Sequence, residues 1–222
     1  MRSERRLVPG PVGRIEVVLD WPDEASPIGV AHIAHPHPLY GGSLENKVVS
    51  TLARLFAVLG WLAVRSNFRG VGATDGQHDE GRGELDDFLH LVVDIPWLQE
   101  GAPARQLPIA LAGFSFGSFV VAQAAAQLHR RGAPARHVVL VGAAAGKWPM
   151  PDVDPGTLVV HGELDETIPL SDVFVWARGC GVPVVVVPGG EHFFHGRLPI
   201  LKKIVARHLL GAEAESRGGG TE

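Results

Sequence analysis

The chain has little of several things: one cysteine, one tyrosine and two methionines in 222 residues. A lone cysteine, Cys180, excludes an intrachain disulfide and fits a reducing compartment. Long apolar runs are also missing, and none reaches the roughly 18 residues that a bilayer span requires. Positive charge is not in excess, since 20 Lys and Arg face 24 Asp and Glu, for a formal net charge of −4. That balance gives neither nucleic acid nor an acidic membrane surface an electrostatic reason to bind. Near the start, Arg2, Arg5 and Arg6 are basic, but Leu7-Val8-Pro9-Gly10-Pro11 cannot serve as the apolar core of a signal peptide. The expectation is a cytoplasmic protein without nucleic-acid or membrane partners.

What is present is an alternation of short apolar runs and amphipathic stretches, punctuated by 28 glycines and 17 prolines. Residues 1–13 carry charge, prolines and glycines and are expected to be irregular. Gly13–Trp21 is β-branched and reads as an edge strand. Further strands are expected at 28–34, 61–66, 108–112, 137–141, 157–161 and 182–187. Helices are expected at about 46–59, 84–98, 119–128, 171–179 and 198–210. In the first of these, Val48, Leu52, Leu55, Phe56 and Leu59 share one face, and Pro96 should kink the second or end it early. Residues 211–222 lack apolar anchors and are expected to be disordered. Strands separated by single helical crossovers predict a mostly parallel sheet with helices on both faces, a three-layer α/β sandwich formed by one domain over residues 1–210. No internal repeat and no oligomerisation signal is visible.

Leu111-Ala112-Gly113-Phe114-Ser115-Phe116-Gly117 lies where an apolar run turns into a helical stretch. A serine between two glycines at such a turn is the G-x-S-x-G nucleophile elbow, with the hydroxyl exposed above the sheet and a helix N-terminus beneath it. A serine hydroxyl is a weak nucleophile, so it needs a base and a group to orient that base. In an open α/β sheet these sit in loops at the carboxyl ends of strands. Two later runs end suitably: Leu158-Val159-Val160-His161 leads into Gly162-Glu163-Leu164-Asp165-Glu166, and Val184–Val187 leads into Pro188-Gly189-Gly190-Glu191-His192. The residue after the nucleophile, Phe116, supplies one backbone N–H to a developing oxyanion.

The order Ser115, Asp165, His192 resembles the α/β-hydrolase superfamily. So do the H-G-x-x-D-x-x-x-P form of His161–Pro169 and the P-G-x-x-H form of Pro188–His192. More narrowly, four segments are similar to small, lid-free bacterial serine hydrolases of the dienelactone-hydrolase-like and prolyl-oligopeptidase-like esterase groups. They are His35-Pro36-His37-Pro38-Leu39-Tyr40-Gly41-Gly42, Asn67-Phe68-Arg69-Gly70-Val71-Gly72, Gly113–Gly117 and Glu191-His192-Phe193-Phe194-His195-Gly196. The similarity covers residues 14–210. Dienelactone hydrolases use a cysteine where this chain has Ser115, so their particular activity is not implied.

The resemblance implies an α/β-hydrolase fold without a cap domain, with Ser115 as nucleophile, His192 as base and Asp165 as acid. Asp165 is chosen over Glu163, Glu166, Asp154 and Asp172 because it alone occupies the family's acid position, and His192 over His195, which would cap the last helix or stack on Phe193. It also implies a second oxyanion donor in the loop after the strand ending at His35. Leu39 is the best candidate and Tyr40 the alternative, and Pro36 and Pro38, with no N–H to offer, narrow the choice. His35 and His37 are expected to brace that loop, and His161 to be structural. Arg69 is expected to pair with Glu84, Asp86 or Asp87.

Only 15 residues separate Val141 from Thr157, too few for a helical cap. The pocket should then be shallow, formed around Leu39–Tyr40, Phe114, Ala143–Trp148 and Phe193–Phe194, with Tyr40 and Phe193 as substrate-lining candidates. The expected activity is cleavage of small acyl esters through an acyl-enzyme, with no cofactor and no metal. A different class of reading is a metal-dependent hydrolase built on His32, His35 and His37, with His161, His192 and His195 converging. A third is a non-catalytic α/β-hydrolase binding module, which the complete triad disfavours. The glycines of Asn67–Gly76 lack the Lys-Ser/Thr pair of a phosphate-binding loop, so no nucleotide site is expected.

Overall fold

The structure, a computed structural model, describes residues 2–23, 26–95, 97 and 107–218. Eight strands form one sheet: β1 (Arg2–Gly10), β2 (Gly13–Trp21), β3 (Val30–Ala34), β4 (Leu62–Ser66), β5 (Ile109–Phe114), β6 (His137–Val141), β7 (Leu158–Gly162) and β8 (Val184–Val187). Five α-helices accompany them: α1 (Lys47–Val58), α2 (Arg82–Val93), α3 (Phe116–Arg130), α4 (Leu170–Cys180) and α5 (Leu198–Gly218). The spatial order is β1-β2-β4-β3-β5-β6-β7-β8, with β1–β2 and β2–β4 antiparallel and every pair from β4 to β8 parallel.

The side-chain alternation of the central strands builds the layers. In β5, β6 and β7, Leu111, Leu140 and Val159 join the core that α2, α3 and α4 cover. Their neighbours Ala110, Ala112, Val139, Val141, Leu158 and Val160 face the opposite core, under α1 and α5. Strands buried on both faces explain why these runs are almost continuously apolar. From β3 the chain steps to β4 on one side, then crosses to β5 on the other. Strand order therefore reverses between β3 and β5, where Ala34 lies opposite Gly113. The crevice outside the carboxyl ends of such strands is where open α/β sheets place their sites.

Two expectations are corrected. Residues 2–10 are a strand, so β2 is interior to the sheet and β1 is its edge. Backbone pairing along the whole of β2, joined through a turn at Pro11-Val12, overrides a local composition that favours coil, and Arg5 forms an ion pair with Glu16 across the two strands. Second, the last helix continues to Gly218. Residues 211–218 are thus helical where the sequence suggested disorder, and 219–222 lie outside the described residues. Glu213 holds this extension to the start of β6, through Arg136 at 2.7 and 2.9 Å and His137 at 3.0 Å. Helix α2 ends at Val93, early as Pro96 leads one to expect, while Pro96 itself and the position of Leu98 lie outside the described residues.

The Asn67–Gly76 loop is tied down from two sides. Arg69 grips Asp87 of α2 through two bonds of 2.8 Å, the bidentate geometry a guanidinium offers a carboxylate. The buried Glu16 accepts from the Asn67 side chain at 2.7 Å and the Ala73 amide at 2.9 Å. Residues 142–157 contain no helix, so this segment supplies no helical cap over the carboxyl ends of the strands.

Candidate active site

The end of β5 delivers Ser115 at φ 56° and ψ −123°, a backbone conformation that a residue with a side chain adopts only under constraint. The Ser115 N–H donates to the Val141 carbonyl at 2.9 Å. Its own carbonyl accepts from the Ser118 amide at 2.8 Å and the Ser118 hydroxyl at 2.6 Å. Ser118 Oγ in turn accepts the Ala144 amide at 3.0 Å, which pins the elbow to the loop after β6. No motif in the sequence announces this clamp; only the fold brings residues 118 and 144 together.

β7 and β8 end beside the elbow. His192 Nε2 lies 2.9 Å from Ser115 Oγ, and Nδ1 lies 2.7 Å from Asp165 Oδ2. The other Asp165 oxygen accepts the amides of Thr167 at 2.9 Å and Ile168 at 2.8 Å. Burial by itself pushes the Asp165 carboxyl up. The His192 hydrogen bond and the Ile168 amide outweigh it and hold the group below its ordinary 3.8. An ionised carboxylate only accepts, so His192 carries its proton on Nδ1 and offers Nε2 to the serine hydroxyl. All three side chains are buried or nearly so. Phe114 and Phe193 flank the imidazole, with ring centroids 5.0 and 5.1 Å away. Competing groups go elsewhere: Glu163 accepts the Gly189 amide, Asp154 caps a turn at Gly156, and His195, the competing base, pairs with Glu191 on the surface.

The loop after β3 turns through a short 3₁₀ helix, Pro38–Tyr40, against the elbow. The Leu39 amide donates to His37 Nδ1 at 3.3 Å and the Tyr40 amide to the His37 carbonyl at 3.2 Å. The two N–H groups expected to face an oxyanion are therefore used inside the turn, because Pro36 and Pro38 bend the chain tightly enough for His37 to reach both. The His37 N–H has no acceptor among the described residues. Its ring sits 4.9 Å from Phe116, 4.8 Å from His78 and 4.7 Å from Tyr40. Phe116 opens α3, so its amide has no partner one turn back. The rings of Phe114 and Phe116 are buried, whereas Leu39, Tyr40 and Phe193 are exposed at 69%, 86% and 43%.

The histidines of the metal reading do not converge. His32 packs against Phe88 and Trp97. His35 joins two loops, with Nδ1 on the Pro36 carbonyl at 2.6 Å and Nε2 accepting the Phe68 amide at 2.9 Å. Among the described residues no three His, Cys, Asp or Glu side chains are grouped so as to hold a metal ion. Burial lowers His32 to about 3. Burial, opposed by the Pro36 carbonyl and aided by His37, lowers His35 to about 4. Both are thus neutral in the folded chain between those values and 6.5, while the unfolded chain binds the protons. Their contribution to stability is complete above pH 6.5 and is lost as pH falls towards 4. Between pH 7.5 and 5, urea unfolding is expected to show a loss of about 2 kcal/mol for each histidine. His32→Phe should flatten that slope by one histidine's share, and an unchanged slope would refute the assignment.

The family model of serine aminopeptidase, S33, matches residues 41–191. An α/β serine hydrolase without lid from Xanthomonas campestris is 34% identical, over 93% of each chain, with a TM-score of 0.81. An α/β serine hydrolase homologue from Coxiella burnetii is 36% identical, over 93% of this chain and 97% of that one, with a TM-score of 0.77. An uncharacterized protein of Rickettsia prowazekii (strain Madrid E) is 29% identical, over 90% of this chain and 86% of that protein. No helix among the described residues is long and apolar enough to cross a membrane. With its mostly parallel eight-stranded sheet, its elbow serine and these relatives, the chain belongs to the α/β-hydrolase superfamily, through the family described as serine aminopeptidase, S33, and is a hydrolase.

Proposed function

We propose that this hydrolase cleaves small acyl esters through a Ser115–His192–Asp165 triad and an acyl-enzyme. The observation that carries the proposal is the continuous hydrogen-bond chain from Ser115 Oγ through both His192 nitrogens to Asp165. Ser115 Oγ attacks the ester carbonyl while His192 Nε2 takes its proton. Asp165 holds the imidazole in the required tautomer and stabilises the imidazolium. The tetrahedral oxyanion is received by the Phe116 N–H and a second donor from the β3 loop. Since the Leu39 and Tyr40 amides serve the turn, we assign that second role to His37. His192 then protonates the leaving alcohol, and water repeats the sequence to release the acid. No cofactor enters these steps, and the lone cysteine accords with a cytoplasmic enzyme.

A fluorophosphonate probe tests the nucleophile: it should label folded protein at Ser115, and a silent probe would overturn the proposal. The substrate class follows from the shallow, uncapped rim. We assign the exposed Leu39, Tyr40 and Phe193 as apolar surface at the mouth of the site, and residues 142–157 supply no helical cap over it. Across p-nitrophenyl esters, kcat/KM should therefore be greatest for acetate to butyrate and fall roughly tenfold or more for long acyl chains. A maximum at palmitate would contradict the short-acyl assignment while leaving the triad intact.

A further inference from the structure

The short turn after β3 is wound around one residue. The His37 carbonyl accepts the Tyr40 amide at 3.2 Å and the Gly42 amide at 3.1 Å, and His37 Nδ1 accepts the Leu39 amide at 3.3 Å. His37 is thus the N-cap of the Pro38–Tyr40 turn. A capping side chain accepts the N–H of the second residue of its turn, a task usually performed by the oxygen of Asn, Asp, Ser or Thr. Here an imidazole nitrogen does it, and Pro38, with no N–H to satisfy, comes first in the turn. A nitrogen that accepts carries no proton, so the ring is neutral with its proton on Nε2. The carbonyl and Nδ1 of His37 are both committed inside the turn, while its backbone N–H has no acceptor among the described residues.

Resting on the assignment of that N–H as the second oxyanion donor, we infer that the His37 side chain is a positioning group: the neutral imidazole, by accepting the Leu39 amide, fixes the turn that carries the His37 N–H. Its ring also packs on that of Phe116, with centroids 4.9 Å apart, so the two residues assigned as oxyanion donors brace each other. Without the Leu39 bond the turn can rotate, and the His37 N–H with it. Protonation of Nδ1 has this effect, because an N–H has no lone pair to offer an amide. The charged and titratable groups that act on the ring are His78, whose Nδ1 lies 2.7 Å from Glu84 Oε1 of α2, Glu84 itself, and Glu80 just before that helix. Burial, with His78 beside it, keeps His37 below its ordinary 6.5 against the opposing pull of Glu84 and Glu80. The turn is therefore closed at neutral pH and loosens in acid.

The test uses the full chain and begins with fluorophosphonate labelling of wild type at Ser115, whose absence would overturn the triad and this inference with it. Given labelling, nitrogen-15 spectra at neutral pH should show His37 uncharged with its proton on Nε2. A proton on Nδ1 would overturn the positioning role without touching the triad. His37→Phe keeps a ring against Phe116 but accepts nothing, and should lower kcat by about 10- to 100-fold with little change in KM. Affinity for a trifluoromethyl ketone, to whose carbonyl carbon Ser115 Oγ adds to leave an oxyanion, should fall by a similar factor. His37→Asn, whose side-chain oxygen is a standard acceptor at an N-cap, should recover most of both losses. Wild-type kcat should fall in acid more steeply than one proton allows, and the asparagine variant should return to a one-proton limb set by His192. A folded phenylalanine variant with wild-type kcat and inhibitor affinity would refute the inference. So would an asparagine variant no better than phenylalanine, or one whose acid limb matches wild type. If phenylalanine does not fold, the tautomer measurement and the asparagine profile decide alone.

Discussion

Ser115→Ala is expected to abolish fluorophosphonate labelling and to lower kcat by about 10⁴- to 10⁶-fold, the loss seen when a triad nucleophile is removed. The fold should survive, since the hydroxyl's partner in the structure is His192 Nε2, which alanine leaves facing the opening. The strained φ of 56° belongs to the backbone, and alanine bears it as serine does. Circular dichroism and urea melts of the variant should therefore overlay wild type while ester turnover disappears. Turnover that persisted in pure Ser115→Ala would mean that the chemistry lies elsewhere. Asp165→Asn should be nearly as damaging, about 10⁴-fold in kcat, because an amide no longer holds the His192 tautomer.

Gly113→Ala and Gly117→Ala are expected to cost about 3 kcal/mol or more of stability, at the upper end of overpacking penalties. A Cβ at position 113 would stand 2.3 Å from the Gly117 carbonyl oxygen, and one at position 117 would stand 2.5 Å from that of Ala34. Both obstacles are backbone, so no side chain can rotate away. Relief requires the elbow to open, which would also move Ser115 off His192. Urea unfolding should show the loss, and the labelling rate should fall further than the unfolded fraction explains. Gly179→Ala in α4 is the control: its Cβ would meet nothing within 4 Å. Helix propensity there should raise stability by about 0.5–1 kcal/mol. Elbow variants as stable as this control would show that the close approach is not what selects glycine.

Much of this site was legible because strand-end chemistry is local. Ser115, Asp165 and His192 each follow an apolar run within a few residues, and a buried parallel strand announces itself by composition. The bidentate Arg69–Asp87 tie was within reach for the same reason, a loop followed at once by its helix. The hydrogen bonding of the loop after β3 was not. Where the Leu39 amide goes depends on how the turn closes over His37. The N-terminal strand was missed because its partner, β2, supplies the pairing, and the residues of β1 have no strong strand preference of their own. The last helix outran its expected end because Glu213 reaches Arg136 and His137, 77 and 76 positions away.

By itself, then, the sequence determined the layer architecture, the elbow and the strand-end positions of Ser115, Asp165 and His192, since periodicity and turn chemistry act over a few residues. Only the tertiary structure decided what those residues touch. Reversal of strand order between β3 and β5 places the proline-rich loop against the elbow. The fold alone likewise seats Ser118 between Ser115 and Ala144, and the ring of His161 on the Ile168 carbonyl. Hydrogen bonds of this kind depend on angstrom distances between residues far apart in the chain, and no local pattern encodes them.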